Sequence, residues 1–170
     1  MRVTLWMALS LNGMAARENQ SEDFLSGRDW ELFVELLRAN EAVMWGRVTH
    51  ELFIDQVREL LPQLPVAVLT RDQAFAVDGD TVRAASPEQA VADLATRGAT
   101  TALLAGGPQV NGAFMRAGLI DEVILAFEPV LVASGLPLLV GDAPDLRLDL
   151  VRVDDSRRPT LRLHYRVASR

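Results

Sequence analysis

The sequence predicts an α/β fold, a mixed and mostly parallel β-sheet with helices on both faces and an antiparallel hairpin at the C-terminus. Three observations lead to this prediction. Short apolar runs alternate with longer amphipathic segments, as strands alternate with crossover helices in parallel sheets. Serine, proline and glycine stand where these segments begin and end. The C-terminal region instead alternates polar and apolar residues, which is typical of strands with one solvated face.

Length and composition indicate one globular domain, which we expect to span residues 1–170. The chain of 170 residues is 49% hydrophobic and 24% charged, enough for a sizeable core. Its net charge of -6 argues against binding of nucleic-acid phosphates. With no cysteine and only two histidines, His50 and His164, we expect no metal site. No apolar run reaches membrane-spanning length, so we expect a cytoplasmic protein.

The first elements of the chain follow from periodicity and capping signals. Val3–Leu9 is predicted to be a buried strand, and a polar loop follows it. Ser26 and Asp29 have the spacing of a capping box, and the apolar residues between Trp30 and Leu37 share one helical face, so a helix is expected from Ser26. The segment "AVMW" is predicted to be a short strand, and "GRVTHELF" turns into a second helix.

The middle of the chain repeats the same alternation. Pro65–Thr70 is apolar and β-branched, which predicts a strand, and a weaker strand is expected near "TVRAA". A helix is expected from Ser86, which can cap it, to Gly98, which can end it. The buried strand "TTALLA" then leads to a helix at Pro108–Ala117, and Asp121–Val132 is predicted to be a long strand.

The C-terminal segments "RLDLVRV" and "TLRLHYRV" are predicted to form a hairpin with "DDSRRP" as its turn. Leu148 and Leu150 share one face of the first strand, whereas Val151 and Val153 have the opposite parity. A β-bulge near residues 150 and 151 would bring both pairs onto one face.

A glycine pair, Gly106 and Gly107, follows a predicted strand directly and precedes a helix that begins at Pro108. Ligands of open α/β sheets bind beyond the carboxyl ends of the strands, and a helix that begins there offers unpaired N–H groups. Glycine lets the backbone approach a phosphate because no Cβ intervenes. The pair therefore fits a pyrophosphate site, although a tight turn without a ligand also explains it.

Two further strand ends carry groups that could contact phosphates. Gly46, Arg47 and Thr49 lie at a helix start after one strand, and Thr70 and Arg71 follow the next strand. An arginine can bind a phosphate through two hydrogen bonds. Taken singly, each arginine could equally be a solvated or ion-paired surface residue.

These segments, in this order, resemble the dihydrofolate reductase-like superfamily. The match is to the riboflavin-biosynthesis reductase (RibD C-terminal domain) family, of which this chain looks like a short stand-alone member. The matching segments are "ALSLNGMAA", "LRANEAVMWGRVTHELF", "VAVLTR", "LLAGGPQVNGAFMRAGLIDEVILAFEPVLVASGLPLL" and the C-terminal hairpin. The resemblance implies a single-domain, three-layer fold and an NADPH-dependent reductase. Asn12 stands in "SLNG", where the family usually has an aspartate.

The resemblance also implies a set of cofactor-binding residues. Arg71 would favour NADPH over NADH by its charge, at the adenosine 2'-phosphate. The implied cofactor residues are Gly106, Gly107, Pro108, Gln109 and Val110 at the pyrophosphate, Gly46, Arg47, Val48 and Thr49 at the phosphates, Thr70 and Arg71 at the 2'-phosphate, Met7 and Ala8 at the nicotinamide, and Ala15 and Ala16 in a mobile loop closing over it.

Two acids are candidate catalytic residues, because hydride transfer to a C=N or C=O bond needs a proton source. Asp29 matches the substrate-facing acid of dihydrofolate reductases, which would bind an amino-pyrimidine edge, although helix capping also explains it. Glu128 lies in an otherwise apolar strand, where burying an acid costs free energy unless the acid is paired or has a function. Exposure to solvent at the end of the strand is the simpler alternative. Trp30 and Phe33 could line the substrate pocket or belong to the core.

The leading hypothesis is thus an NADPH-dependent reductase of a pterin-like or pyrimidine-like heterocycle. A nucleotide-binding or regulatory module without catalysis and an interaction domain without a cofactor are the alternatives. We expect Trp6 and Trp45 in the core, His50 facing outward and His164 on the solvated face of the hairpin. The exposed hairpin and the apolar strand before it make a homodimer plausible.

Overall fold

The computed structural model describes residues 1–77, 79–156 and 158–168. These residues form ten strands and four helices. The strands are β1 (Arg2–Ser10), β2 (Met14–Ala16), β3 (Val43–Gly46), β4 (Val66–Leu69), β5 (Thr81–Ala84), β6 (Thr101–Leu104), β7 (Glu122–Glu128), β8 (Leu136–Pro137), β9 (Leu148–Asp154) and β10 (Leu161–Val167). The helices are α1 (Gly27–Ala39), α2 (Arg47–Leu60), α3 (Pro87–Thr96) and α4 (Pro108–Ala117). None of the described helices is long and apolar enough to cross a membrane.

Eight strands form one mixed sheet in the order β5-β4-β3-β6-β1-β7-β10-β9. The six strands from β5 to β7 in this order pair in parallel, and only the C-terminal hairpin is antiparallel. The carboxyl ends of β1, β3, β4, β6 and β7 therefore meet at one edge of the sheet. Because β6 returns to lie between β1 and β3, the chain reverses its direction across the sheet there, and a crevice is expected at that edge.

Helices cover both faces of this sheet, as the sequence predicts. Side chains on one face, such as Leu5 and Met44, pack with Leu94 of α3 and Phe114 of α4. Their sequence neighbours point to the opposite face, because side chains alternate along a strand. There Trp6 and Trp45 pack in a second cluster with Leu32 and Leu37 of α1 and Val57 of α2. Both tryptophans are buried, which confirms their predicted place in the core.

The C-terminal hairpin contains the predicted bulge. The register between β9 and β10 shifts between His164 and Tyr165, so that Leu150 lies opposite Tyr165 and Arg152 opposite His164. Val151 is the extra residue at this point. The predicted turn "DDSRRP" includes Arg157, which lies outside the described residues.

Two features of the strands differ from the sequence prediction. The predicted long strand at Asp121–Val132 is shorter, since β7 ends at Glu128. Pro129 has no N–H for a sheet hydrogen bond, and the N–H of Val130 turns back to the carbonyl of Glu128 at 2.7 Å. The predicted loop after β1 contains the short strand β2, which pairs with β8 in a separate two-stranded sheet. Its pairing partner is distant in sequence, so local patterns do not reveal it.

Candidate active site

The glycine pair lies at the carboxyl edge of the sheet, between β6 and α4. The N–H of Gly46, at the end of β3, donates to the carbonyl oxygen of Gly106 at 2.8 Å. A Cβ on Gly46 would lie 3.1 Å from Cγ2 of Val110. The two strand ends therefore approach each other so closely that a side chain at position 46 would force the neighbouring side chain to move.

A side chain packs closely beside Gly106, whereas the space beside Gly107 is open. Gly106 has a φ of +83°, and a Cβ there would lie 3.1 Å from Sδ of Met7. A Cβ on Gly107 would have only Oγ1 of Thr49 within 4 Å, at 3.8 Å, and Gly107 has an ordinary φ of -73°. The backbone at Gly107 thus faces open space with no side chain of its own.

Two helices begin at this turn, and no side chain caps the first N–H groups of either helix. Gly46 is the N-cap of α2 and Gly107 the N-cap of α4, and neither helix has a side-chain cap hydrogen bond or an acidic residue in its first turn. Elsewhere α3 is capped by Ser86 and has Glu88 in its first turn. The first N–H groups of a helix lack partners within it, and its dipole favours an anion there. The arrangement can therefore bind an anion such as a diphosphate.

The two arginines predicted near this site lie at neighbouring strand ends. Arg47 begins α2, and its guanidinium pairs with Glu51 at 2.9 Å on the exposed side of the helix. Arg71 follows β4 and is exposed, while the hydroxyl of Thr70 accepts the N–H of Asp72 at 3.1 Å. Because β4 lies beside β3 in parallel, both arginines follow strands that end at the same edge as the glycine turn.

A cavity of about 210 Å³ adjoins the glycine turn. Ala8 at the end of β1 and Ala105, the residue before Gly106, line it, and so does Met7, whose sulfur faces Gly106. Aromatic side chains form another wall of the cavity. The ring of Trp30 lies 6.0 Å from that of Phe53 in a stacked arrangement, and Phe33 also lines the cavity. The cavity and the glycine turn thus share the β1 and β6 strand ends.

The two acids predicted as catalytic candidates meet beside this cavity. Asp29, in the first turn of α1, lines it and is only 5% exposed. Its Oδ2 accepts the N–H of Ser26 at 3.3 Å, and its Oδ1 is buried without a hydrogen-bond partner. Glu128, at the end of β7, is equally buried, which rules out the alternative that it is a surface residue. Its Oε1 accepts hydrogen bonds from the hydroxyls of Ser26 at 3.0 Å and Thr160 at 2.7 Å.

The proximity of these carboxyl groups changes their protonation. Burial, followed by a hydrogen bond to Glu128 and the charge of Glu128, raises the pKa of Asp29 to about 7. Two carboxyl groups can share a hydrogen bond only if one of them carries a proton. The carboxyl of Asp29, with its raised pKa, is therefore the one that holds a proton. Asp29 can therefore carry a proton near neutral pH, as a general acid must.

A third acid, Glu22, was not identified from the sequence. It lies in the segment between β2 and α1, lines the same cavity, and burial raises its pKa to about 7. The surrounding sequence "ENQSEDFLS" is mostly polar and is typical of a solvated loop. No local signal distinguishes Glu22 from Glu18 or Asp23, because its burial comes from packing against the cavity.

Two residues discussed from the sequence, Ala16 and His50, lie in environments that differ from the prediction. Ala16 lies in strand β2 rather than in a loop, buried and paired with Leu136. The prediction that His50 faces outward is wrong. His50 is 7% exposed, and its Nδ1 accepts the indole N–H of Trp45 at 3.1 Å, because one turn of α2 returns it to the end of β3.

Asn12 has a structural role. Its Oδ1 accepts the N–H of Val132 at 3.0 Å, and its Nδ2 donates to the carbonyl of the same residue at 2.8 Å. Oδ1 also accepts the hydroxyl of Ser10 at 2.9 Å. The amide thus ties the turn after β1 to the segment after β7, and an aspartate could not make the bond to the carbonyl while ionised.

Comparison with known proteins supports this architecture. The family model described as RibD C-terminal domain matches residues 1–158. The uncharacterised protein YwjB of Bacillus subtilis is 28% identical over 151 residues, which cover 81% of this chain and 82% of YwjB.

Solved structures share the fold at low identity. A riboflavin biosynthesis protein from Shewanella sp. PV-4, itself described as putative, superposes with a TM-score of 0.81 at 20% identity, covering 99% of this chain and 100% of that one. The diaminohydroxyphosphoribosylaminopyrimidine deaminase/5-amino-6-(5-phosphoribosylamino)uracil reductase of Thermotoga maritima gives 0.78 at 17% identity. That match covers 98% of this chain but only 56% of the longer Thermotoga protein.

Proposed function

Because the chain belongs to the RibD C-terminal domain family, we propose that it is an NADPH-dependent reductase of a pterin-like or pyrimidine-like heterocycle. One observation supports this proposal most directly: the cavity and the glycine turn adjoin each other. Met7 lines the cavity and also packs against Gly106, and Ala105 lines the cavity one residue before the glycine turn. A dinucleotide whose diphosphate lies at the turn would therefore reach the cavity with its nicotinamide end.

The residues present fit the cofactor. Gly107 offers backbone without a side chain, and the uncapped starts of α2 and α4 supply N–H groups for a diphosphate. Arg47 and Arg71 supply positive charge at the adjoining strand ends, where Arg71 would contact a 2'-phosphate. When bound, NADPH supplies the hydride for reduction of a C=N or C=O bond.

The chain's own residues would orient the heterocycle and deliver the proton. Trp30 and Phe33 provide flat apolar walls that exclude water and align a planar ring. Asp29 carries a proton beside the cavity and can donate it to the atom next to the reduced carbon. Glu128, held by the hydroxyls of Ser26 and Thr160, would contribute to the raised pKa of Asp29.

The Gly107→Asp variant tests cofactor binding without disturbing the fold. Gly107 has an ordinary φ and space for a side chain, and aspartate is a favourable N-cap, so the variant should be at least as stable as the native protein. The carboxylate would occupy and repel the diphosphate site. We expect loss of NADPH binding, measured by quenching of tryptophan fluorescence. A stable variant that still binds NADPH would contradict the proposed site.

NADPH binding by the native protein without NADPH oxidation in a panel of heterocycles would instead favour the non-catalytic alternative.

We also propose that the chain forms a homodimer through β9. This strand is at the edge of the sheet, and Leu150, Val151 and Val153 are 52–59% exposed on it. An edge strand with apolar side chains favours pairing with a second copy about a two-fold axis. Sedimentation velocity should show a dimer that Val153→Lys converts to a monomer. A monomeric native protein would refute the proposal.

A further inference from the structure

We propose that the substrate of this site carries no phosphate group and presents N–H donors to the cavity. The proposal rests on the proposed reductase function and narrows its substrate class. The Thermotoga maritima relative is described as a reductase of 5-amino-6-(5-phosphoribosylamino)uracil, a phosphorylated compound. The cavity of this chain would instead disfavour a negatively charged group.

The cavity is lined by acids and lacks basic residues. Glu22 and Asp29 both line it, and Glu128 is hydrogen-bonded to Ser26, another lining residue. Among the described residues that line the cavity there is no lysine, arginine or histidine. A phosphate inside it would lose its hydration without meeting a cation, and it would be repelled by whichever carboxyls are ionised.

The arginines near α1 and on the hairpin are already engaged with other groups of the chain. On the side of α1, Arg28 donates to the carbonyl of Arg158, whose guanidinium pairs with Asp155 at 2.6 Å. These residues line a surface depression together with Glu31.

The hairpin carries the other nearby cations. Arg162 of β10 pairs with Asp154, and Arg152 lies 3.5 Å from the same carboxylate. The carboxylate thus holds both guanidiniums at the hairpin. The guanidiniums of both groups are thus already engaged, that of Arg28 by a backbone carbonyl and the others by carboxylates.

One atom in the cavity calls for a hydrogen-bond donor. Oδ1 of Asp29 is buried without a hydrogen-bond partner, on a side chain that is 95% inaccessible and lines the cavity. Such an atom is stabilised when a ligand donates an N–H to it. The volume of about 210 Å³ is smaller than the roughly 300–1,000 Å³ of common ligand sites. A compact ring system with N–H donors, stacked on Trp30, matches both properties.

Binding of a matched pair of compounds tests the proposal. We would titrate the protein with 5-amino-6-(ribosylamino)uracil and with its 5'-phosphate, with and without NADPH, and follow tryptophan fluorescence. We expect the unphosphorylated compound to bind about tenfold more tightly or better, given the repulsion between like charges at short range. Equal or tighter binding of the phosphate, or failure of both compounds to bind, would overturn the proposal.

Charge variants of Glu22 show whether the cavity causes the discrimination. Glu22→Gln should reduce the preference and Glu22→Lys should reverse it, whereas Glu18→Gln, exposed in the same segment, should leave it unchanged. Circular dichroism confirms that each variant is folded. NADPH affinity, measured on the same samples, reports on the proposed reductase separately. If NADPH binds but the phosphate is preferred, only the substrate inference fails.

Discussion

The proton on Asp29 gives the protein a pH-dependent stability that Asp29→Asn should remove. The folded-state pKa is about 7, against 3.8 for an unperturbed aspartate. Between about pH 4 and about pH 7, the carboxyl of Asp29 is protonated in the folded state but ionised in the unfolded chain. The free energy of unfolding therefore decreases as the pH rises from about 4 to about 7.

The size of the effect follows from this gap. At about 1.4 kcal/mol per pKa unit, the difference between 3.8 and about 7 corresponds to about 4 kcal/mol. Asparagine does not titrate, so position 29 contributes no pH dependence to the stability of the variant. The stability of the variant relative to the native protein should therefore increase by about 4 kcal/mol from about pH 4 to about pH 8.

Urea unfolding followed by circular dichroism across this range measures the effect. The comparison of two proteins cancels groups that titrate identically in both, such as Glu22 to a first approximation. Asp55→Asn, an exposed substitution on α2, is the control and should show no such dependence. The same Asp29→Asn variant should lose about 10²-fold or more in turnover, because it has no proton to give. A relative stability that does not change with pH would refute the assignment of the proton to Asp29.

Three further predictions concern other parts of the site. Thr160→Val removes a 2.7 Å hydrogen bond to the anionic Glu128. The shared proton should then be held more tightly, and the alkaline limb of the pH–rate profile should move up by about one pH unit. Gly106→Ala should lower the free energy of unfolding by about 1–3 kcal/mol and weaken NADPH binding. The control is Gly98→Ala, where φ is similarly positive but no atom lies near the added Cβ. It should be less destabilising and leave NADPH binding intact. Arg71→Gln should reduce affinity for NADPH about 10-fold or more with little effect on NADH, as measured by fluorescence titration; equal losses for both cofactors would contradict its place at the 2'-phosphate.

Much of the fold could be predicted because its signals are local. Pro108–Ala117 was predicted as a helix with the bounds it has, since proline begins it and Gly118, with a φ of +67°, ends it. The bulge in β9 could be inferred because the alternation changes parity within four residues. The glycine turn was likewise visible, because two glycines between a strand and a helix have few other uses.

The sequence by itself thus determined the order of the elements, the edge of the sheet at which the site lies, and the two acids, Asp29 and Glu128, as separate candidates. Only the tertiary structure decided that they form one pair, with Thr160 from a third element holding Glu128 and with Glu22 as another acid beside the cavity. The reason is physical. Helix caps and strand alternation depend on residues a few positions apart, whereas the burial and pKa of a carboxyl depend on groups that approach it from about a hundred residues away.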